Sequence, residues 1–378
     1  MKLGRRDFFS TLMGAAAAAQ VSGRAAPTKL SMPGLFPGRV VSVRHSGCYL
    51  DGKFQAEPIR AMMRKGMVEL TGAPDWTSAW RMFFEKGDVI GIKVNPVGQP
   101  DVISCAEVLQ EIIAGLNQAG VPNKDIVVYD RYRQQFLRAG FQKWLPEGVR
   151  EDWAAQDYQQ MQLGMDGYDP GHYMEMALAQ PPGAQDDKDK KTAGPDPRDE
   201  HVRRSYVAQF LTKRVNKLIN LPVLKHHQSA GVTLALKNLS HGLVNNVNRS
   251  HSSSTLNACG SFIPAVVNIP VIREKTALHV LDGILGMYHG GPGGRKGKYV
   301  FVNHTLYFAT DPVAVDKTGW AVLDAKRVEK GMATIALSKP DADSTFLNCQ
   351  PEHIEIAGAL GLGVFDDKKI ERKKFDLA

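Results

Sequence analysis

The chain is poor in cysteine: four in 378 residues, at Cys48, Cys105, Cys259 and Cys349, with no two within four positions of each other. So few exclude a disulfide scaffold. The lack of any C-x-x-C excludes iron–sulfur and zinc-ribbon spacing. The body of the chain has no run of about 18 uncharged apolar residues, so no segment there is long enough to span a bilayer as a helix. There is no Walker A pattern and no repeat of fixed period. Neither sign of charge dominates, with 47 Lys+Arg against 39 Asp+Glu. Together with 43% hydrophobic residues, that balance excludes a disordered chain. It also offers no footprint for nucleic acid. At roughly 100–200 residues per domain, the length suits one large domain or two smaller ones.

What the N-terminus carries is an export address. The paired arginines of Arg5-Arg6-Asp7-Phe8-Phe9-Ser10 are followed by the apolar and small-residue run Thr11 to Ala19, then by Val21-Ser22-Gly23 and Ala25-Ala26. That order is the order of a signal peptide. The adjacent arginines, with Phe8 two places after the second, point to the twin-arginine route. Residues 1–26 are therefore expected to be removed, and the protein to be periplasmic or extracellular with no stable membrane span afterwards. Their loss takes away Lys2, Arg5, Arg6 and Arg24 against Asp7 and lowers the formal net charge from +8 to +5.

Residues 27–38 are rich in Pro and Gly and read as a linker. Arg39–His45 alternates like a strand. Over Gln55–Gly72, Ile59, Met62, Met63, Met67 and Leu70 recur at helical spacing. Asp88–Val94 is β-rich and stops at the turn signal Asn95-Pro96. Ile103–Ala119 predicts an amphipathic helix closed by Gly120, and Asp125–Tyr129 a short buried strand followed by Asp130. Strand, helix, strand in that order predicts a parallel α/β sheet.

Residues 134–200 break the pattern. They end in Gln180–Glu200, with Pro181-Pro182-Gly183 and the charged run Asp186–Lys191, and read as a flexible, solvated insertion. Strands are again expected at Lys217–Leu221 and Ala277–Leu281, with a helix from about Gly231 between them. Tyr299–Val302 and Thr305–Ala309 read as a hairpin around Asn303-His304. Asp311 is an N-cap with Pro312 at the first helical position, and its helix runs through Asp316 to about Asp324. Ile354–Ile356 reads as a last short strand. The expected fold is α/β: a mostly parallel or mixed sheet flanked by helices, one domain over residues 39–378 with the insertion inside it.

Four constellations could carry chemistry. The first is Lys93 and Asn95 at the end of a predicted strand, where parallel sheets place ligands. The second is the richest: Asn220 to His227, then Thr233 and the run Ala235 to His241, with Asn245, Asn246, Asn248 and His251 beyond. Such polar density beside apolar anchors is expensive unless solvated, paired or bound. Lys225 and Lys237 suit a phosphate or carboxylate. His226, His227, His241 and His251 are candidate metal ligands, but their spacing matches no standard zinc pattern. The third is Asp282 at a strand end, followed by the glycine-rich basic loop His289 to Lys298, a candidate anion wrap. The fourth is Asp311 to Asp316, where capping alone accounts for Asp311.

Taken together and in this order, the four resemble the DUF362 family. Its members carry a β-rich segment like Lys93-Val94-Asn95, an N-L-P-x-x-K-x-H run matched by Asn220 through His227, and a T-x-A-x-K-N-L run matched by Thr233 through Leu239. A D-G-I-x-G-M run with a glycine-rich tail is matched by Asp282 through Gly294, and D-P-V-A-x-D by Asp311 through Asp316. The resemblance spans roughly residues 85–325 apart from the insertion. His226 stands where the family usually has Thr. Some relatives carry a ferredoxin-like cysteine module, which implies redox surroundings; this chain lacks it.

The site expected from these readings is a crevice lined by Lys93, Asn95, Lys225, His227, Lys237, Asn238, Asp282 and Asp316 that binds an anionic small molecule or cofactor. If it is catalytic, His227 is the proton-transfer group, since an imidazole titrates near neutrality. Lys225 and Lys237 then stabilise negative charge. The sequence names no cofactor and no metal. The alternative reading is a non-catalytic accessory protein of a periplasmic redox system.

Overall fold

A computed structural model of the protein describes residues 29–159, 162–178, 198–253, 256–293, 297–347 and 350–377. The expected signal segment, Cys349 and most of Gln180–Glu200 lie outside the described residues.

The chain builds one ten-stranded sheet. Its strands are β1 (Arg39–Arg44), β2 (Ile90–Lys93), β3 (Ile126–Tyr129), β4 (Arg150–Asp152), β5 (Lys217–Asn220), β6 (Val223–His227), β7 (Gly231–Val232), β8 (Thr276–Met287), β9 (Val300–Ala309) and β10 (Glu371–Asp376). The main path runs β10-β1-β9-β8-β5-β2-β3-β4. From β8 to β4 neighbours are parallel; β9 is antiparallel to both β8 and β1. The fold is thus α/β with a mixed sheet.

Helices cover both faces. Alternation along each strand decides which side chain goes where. Ile126 and Val128 join one apolar core and Val127 and Tyr129 the other. The first core is covered by α1 (Ala56–Thr71) and α2 (Ala106–Ala119). Ile59, Met62, Met63, Met67 and Leu70 form the buried stripe of α1, and the helix stops where Gly72 turns left-handed at φ +72°. The second core is covered by α3 (Leu234–Leu243), α4 (Cys259–Val267), α5 (Pro312–Glu329) and α6 (Glu352–Ala359).

The 12-residue β8 sets the geometry of the site. Its first part pairs with β5, with His279 opposite Asn220. Its second part pairs with β6, with Val223 opposite Asp282. Leu221-Pro222 interrupts the two partners, and the Pro222 carbonyl accepts from the Asp282 N–H. Further along, Asn220 lies opposite Lys93, Lys93 opposite Tyr129, and Tyr129 opposite Asp152. A single cross-strand row therefore carries His279, Asn220, Lys93, Tyr129 and Asp152.

Three expectations are corrected. Residues 299–309 hold one strand, not a hairpin: β9 continues through Asn303-His304, where His304 takes φ +54° and the register on β8 shifts between Gly283 and Leu285. Polar residues that signal a turn here mark a bulge. Ile354–Ile356 lies inside α6 rather than in a strand; so short an apolar run does not choose between the two by itself. The second-half helix begins at Leu234, because Gly231–Val232 pairs with β6 first. Within 134–200, Arg150–Asp152 joins the main sheet, and Tyr168–Glu175 forms a ribbon with Arg204–Ala208.

Asp311 does more than cap α5. One oxygen accepts from Val313 and Ala314 N–H at 2.9 and 2.8 Å; the other accepts from Gly38 and Val364 N–H at 2.9 and 2.8 Å. A single carboxylate ties the start of β1, the helix and the approach to β10. Asp311→Ala is expected to lower stability by more than about 2 kcal/mol, above the ordinary cap loss of about 1. A urea midpoint shift no larger than a surface Asp→Ala control would contradict this.

A buried cationic site at the strand ends

Lys93, the last residue of β2, points its ammonium into the protein rather than to solvent. It donates to Asp130 Oδ1 at 2.6 Å, to the Val94 carbonyl, and more weakly to Asn238 Oδ1 at 3.4 Å. A Cβ at residue 242 would fall 2.1 Å from Lys93 Cε, so only glycine there leaves room for the lysine.

Asn238 on α3 joins the strand ends. Its Oδ1 accepts from Asn95 Nδ2 at 2.9 Å, and its Nδ2 donates to Asn220 Oδ1 at 2.7 Å. Asn220 Nδ2 reaches the Ala235 carbonyl and His279 Nδ1, both at 3.1 Å. Lys225 Nζ donates to Asn95 Oδ1 at 3.3 Å and has no carboxylate partner among the described residues. Lys237 Nζ has neither a hydrogen bond nor an ion pair among the described residues, although the residue is only 4% exposed. The structure thus brings Lys93, Asn95, Lys225 and Asn238 into one network, with Lys237 close enough to act on Lys225 electrostatically.

The charges in this region do not balance. Asp130 is spent on Lys93. Burial, helped by the nearby Lys237 and Lys93 and partly offset by Asp130, pushes the Lys225 ammonium down to about 7. Burial is also the main cause that brings Lys237 down to about 8.

His227 sits at the end of β6. Its Nδ1 accepts from Ser229 N–H at 3.2 Å and lies 2.9 Å from Ser229 Oγ. Its ring neighbours His251, and His251 neighbours His241. Burial first, then the positive charge of Lys237, holds His227 and His241 well below the usual imidazole range and takes His251 down to about 3. Both causes favour the neutral form of these imidazoles.

The two predicted acids sit elsewhere. Asp282 accepts from Cys105 and Ile284 N–H at 2.9 and 3.2 Å, and burial pushes it up to about 6. Asp316 accepts from Ala235 and Leu236 N–H at 2.7 and 2.9 Å and so anchors the start of α3. Neither makes a hydrogen bond to the lysine network. A surface cavity of about 450 Å³ is lined by Arg133, Gln134, Leu137, Arg138, Gln156 and Asp157 and by none of the predicted site residues. The strand-end site is a packed polar interior whose edge is the half-buried pair His241 and His251.

The family model for DUF362, a domain of unknown function, matches residues 170–321. That match supports the DUF362 resemblance over this part of the chain. No curated protein matches the chain. Within the matched region, the DUF362 run Asn220–His227 supplies the end of β5 and all of β6, and Thr233–Leu239 supplies the start of α3. Asp282–Gly293 supplies the end of β8 and the start of the loop after it, and Asp311–Asp316 the cap of α5. Lys93, Asn95 and Asp130 lie outside the match and complete the network from the N-terminal half. Sequence reasoning missed Asp130, His279 and Gly242 as site residues, and placed Asn220 in the second constellation without counting it among the lining residues. Asp130 carried a usable signal, an acid directly after a buried strand; Gly242 carried none.

The burial of Lys225 has a measurable consequence. Its amine titrates far lower folded than unfolded, so between about pH 7 and pH 10 the unfolded chain binds more protons there and stability rises with pH. Below pH 7 the full penalty is present. Lys225→Met removes it. The variant should melt above wild type at pH 6, with the difference shrinking toward pH 10. An equal difference at both ends contradicts an uncompensated ammonium.

Proposed function

We propose that this protein is exported and holds an anionic small molecule or cofactor at Lys225 and Lys237. One observation carries the reading: two buried amines, of which, among the described residues, one has only an amide partner and the other none. Burying an ammonium costs several kcal/mol when no counter-charge accompanies it. A phosphate or carboxylate between them would supply that charge and accept their hydrogen bonds. Asn95 and the Lys93–Asp130 pair then serve as supports that fix the direction of Lys225. The edge at His241 and His251 offers the way in.

The reading is of binding rather than of proton transfer. A buried imidazole held well below neutrality is a weak base, and the Nδ1 of His227 is occupied by Ser229. His227 therefore contributes a neutral wall and a ring N–H rather than a titrating group.

The test is thermal melting of the purified chain with inorganic pyrophosphate or citrate, against sodium chloride of equal ionic strength. An anion at a hundred times its Kd stabilises by about 2.7 kcal/mol. Wild type should melt higher with at least one of the two anions, and Lys237→Met should lose that rise. The reading fails if neither anion acts beyond the salt control, or if Lys237→Met responds like wild type.

Export rests on the residue order Arg5-Arg6-Asp7-Phe8 ahead of an apolar run. No described helix is long and apolar enough to cross a membrane. Converting Arg5 and Arg6 together to Lys should leave the chain uncleaved in the cytoplasm of an exporting bacterium; continued appearance of a processed form in the periplasm would exclude the twin-arginine route.

A further inference from the structure

We propose that His241, His251 and Cys259 form a binding site for one transition-metal ion of the zinc type. Three separate stretches of chain meet here. His241 comes from the last turn of α3, His251 follows the short turn Asn248–Ser250, and Cys259 opens α4. One donor atom from each residue lies within 4.8 Å of the other two. Their meeting point is marked by the Ser250 hydroxyl. His241 Nε2 and His251 Nδ1 each lie 3.1 Å from Ser250 Oγ, and Cys259 Sγ lies 3.8 Å from it.

The donor chemistry selects the class of ion. Two imidazoles and a thiol, with no carboxylate in the group, suit zinc or copper(I) and not magnesium or calcium. Around zinc the bonds are about 2.0–2.1 Å to nitrogen and 2.3 Å to sulfur. That requires donor separations of roughly 3.3–3.8 Å, so the three side chains would have to close by about 1 Å. The Ser250 hydroxyl has a partner to keep as they do so, the Val247 carbonyl at 2.7 Å.

A second observation is independent of these three. His353 on α6 is fully buried, and both its ring nitrogens lack a hydrogen-bond partner among the described residues. It acts electrostatically on His241. An imidazole with two unspent nitrogens therefore lies next to the donor group. Cys259 is buried while His241 and His251 are half-buried, so the cluster is reachable from outside. Lys237 of the anion reading acts electrostatically on His241 and His251, so the two readings are separated by their readouts, a cobalt spectrum for the metal and an anion-dependent melting shift for the anion.

The test uses the whole purified chain, treated with a chelator, kept reduced, and titrated with cobalt(II) as a spectroscopic stand-in for zinc. One equivalent should bring up visible ligand-field bands and a near-ultraviolet thiolate-to-cobalt charge-transfer band, and one equivalent of zinc should abolish both. Cys259→Ser should lose the charge-transfer band. His251→Gln should weaken cobalt binding by at least tenfold, and it serves as the readout if the Ser variant does not fold. No cobalt spectrum in the wild type overturns the proposal. So does a thiolate band that survives in folded Cys259→Ser, or cobalt affinity unchanged in His251→Gln.

Discussion

The site depends on how one buried polar helix is seated. Helix α3 is covered along nearly its whole length and yet carries Lys237, Asn238, Ser240 and His241. A helix in that position needs both ends satisfied. At its start the Asp316 carboxylate takes the Ala235 and Leu236 N–H groups. At its end the Tyr129 hydroxyl donates to the Gly242 carbonyl, Arg131 donates to the Val244 carbonyl, and the Lys93 ammonium lies against Gly242. An anion at the N-terminus and cations at the C-terminus is the arrangement the helix dipole favours. Asp316 therefore acts on the site from a distance, by fixing the helix that carries Lys237 and Asn238. The first helical residue, Leu234, has φ +45°, an unfavourable backbone state for a leucine that the two bonds to Asp316 hold in place.

The sheet does the complementary work. Register alone places His279, Asn220 and Lys93 side by side, so a single amide on the helix, that of Asn238, can reach two strand ends. The Leu221-Pro222 break matters here. It lets β5 end at Asn220 while its continuation resumes pairing with β8 as β6, which carries Lys225 back beside Asn95. Were the two strands one uninterrupted line, Asn220 would be mid-strand and its amide would have no open end to turn toward.

Much of the fold was legible in the sequence, because period-two and helical patterns report burial directly. The strands at Lys93, Tyr129 and Asn220 and the helices ending at Gly72 and Gly120 are cases where pattern and punctuation agree. The failures have one cause: local signals whose meaning is set by distant partners. Asn303-His304 carries turn residues, but a long neighbour strand holds it extended. Ile354–Ile356 has β-type residues, but α4 offers it a helical packing surface. Of the site, Lys93, Asn95, Lys225 and Asn238 were legible as strand-end or helix polar groups. Asp282 and Asp316 share that appearance, and nothing in the sequence reveals that their oxygens are already taken by backbone N–H groups.

The buried polar groups of this protein fall into two kinds, and the difference decides what each can do. Asp130, Asn95, Asn220 and Asn238 are matched donor to acceptor, and such networks fix geometry without needing anything from outside. Among the described residues Lys225 and Lys237 are not matched to carboxylates, and the charge of Lys237 lowers the pKa of the imidazoles near it, which favours their neutral form. Neutral nitrogen and sulfur donors gathered at a half-buried edge suit a cation, whereas amines that lack carboxylates suit an anion. Had the interior served stability alone, apolar residues of similar volume would have been the cheaper solution for both lysines. Among the described residues the core keeps two amines without a carboxylate beside a rigid amide scaffold, and that imbalance is the physical ground of the proposed anion site.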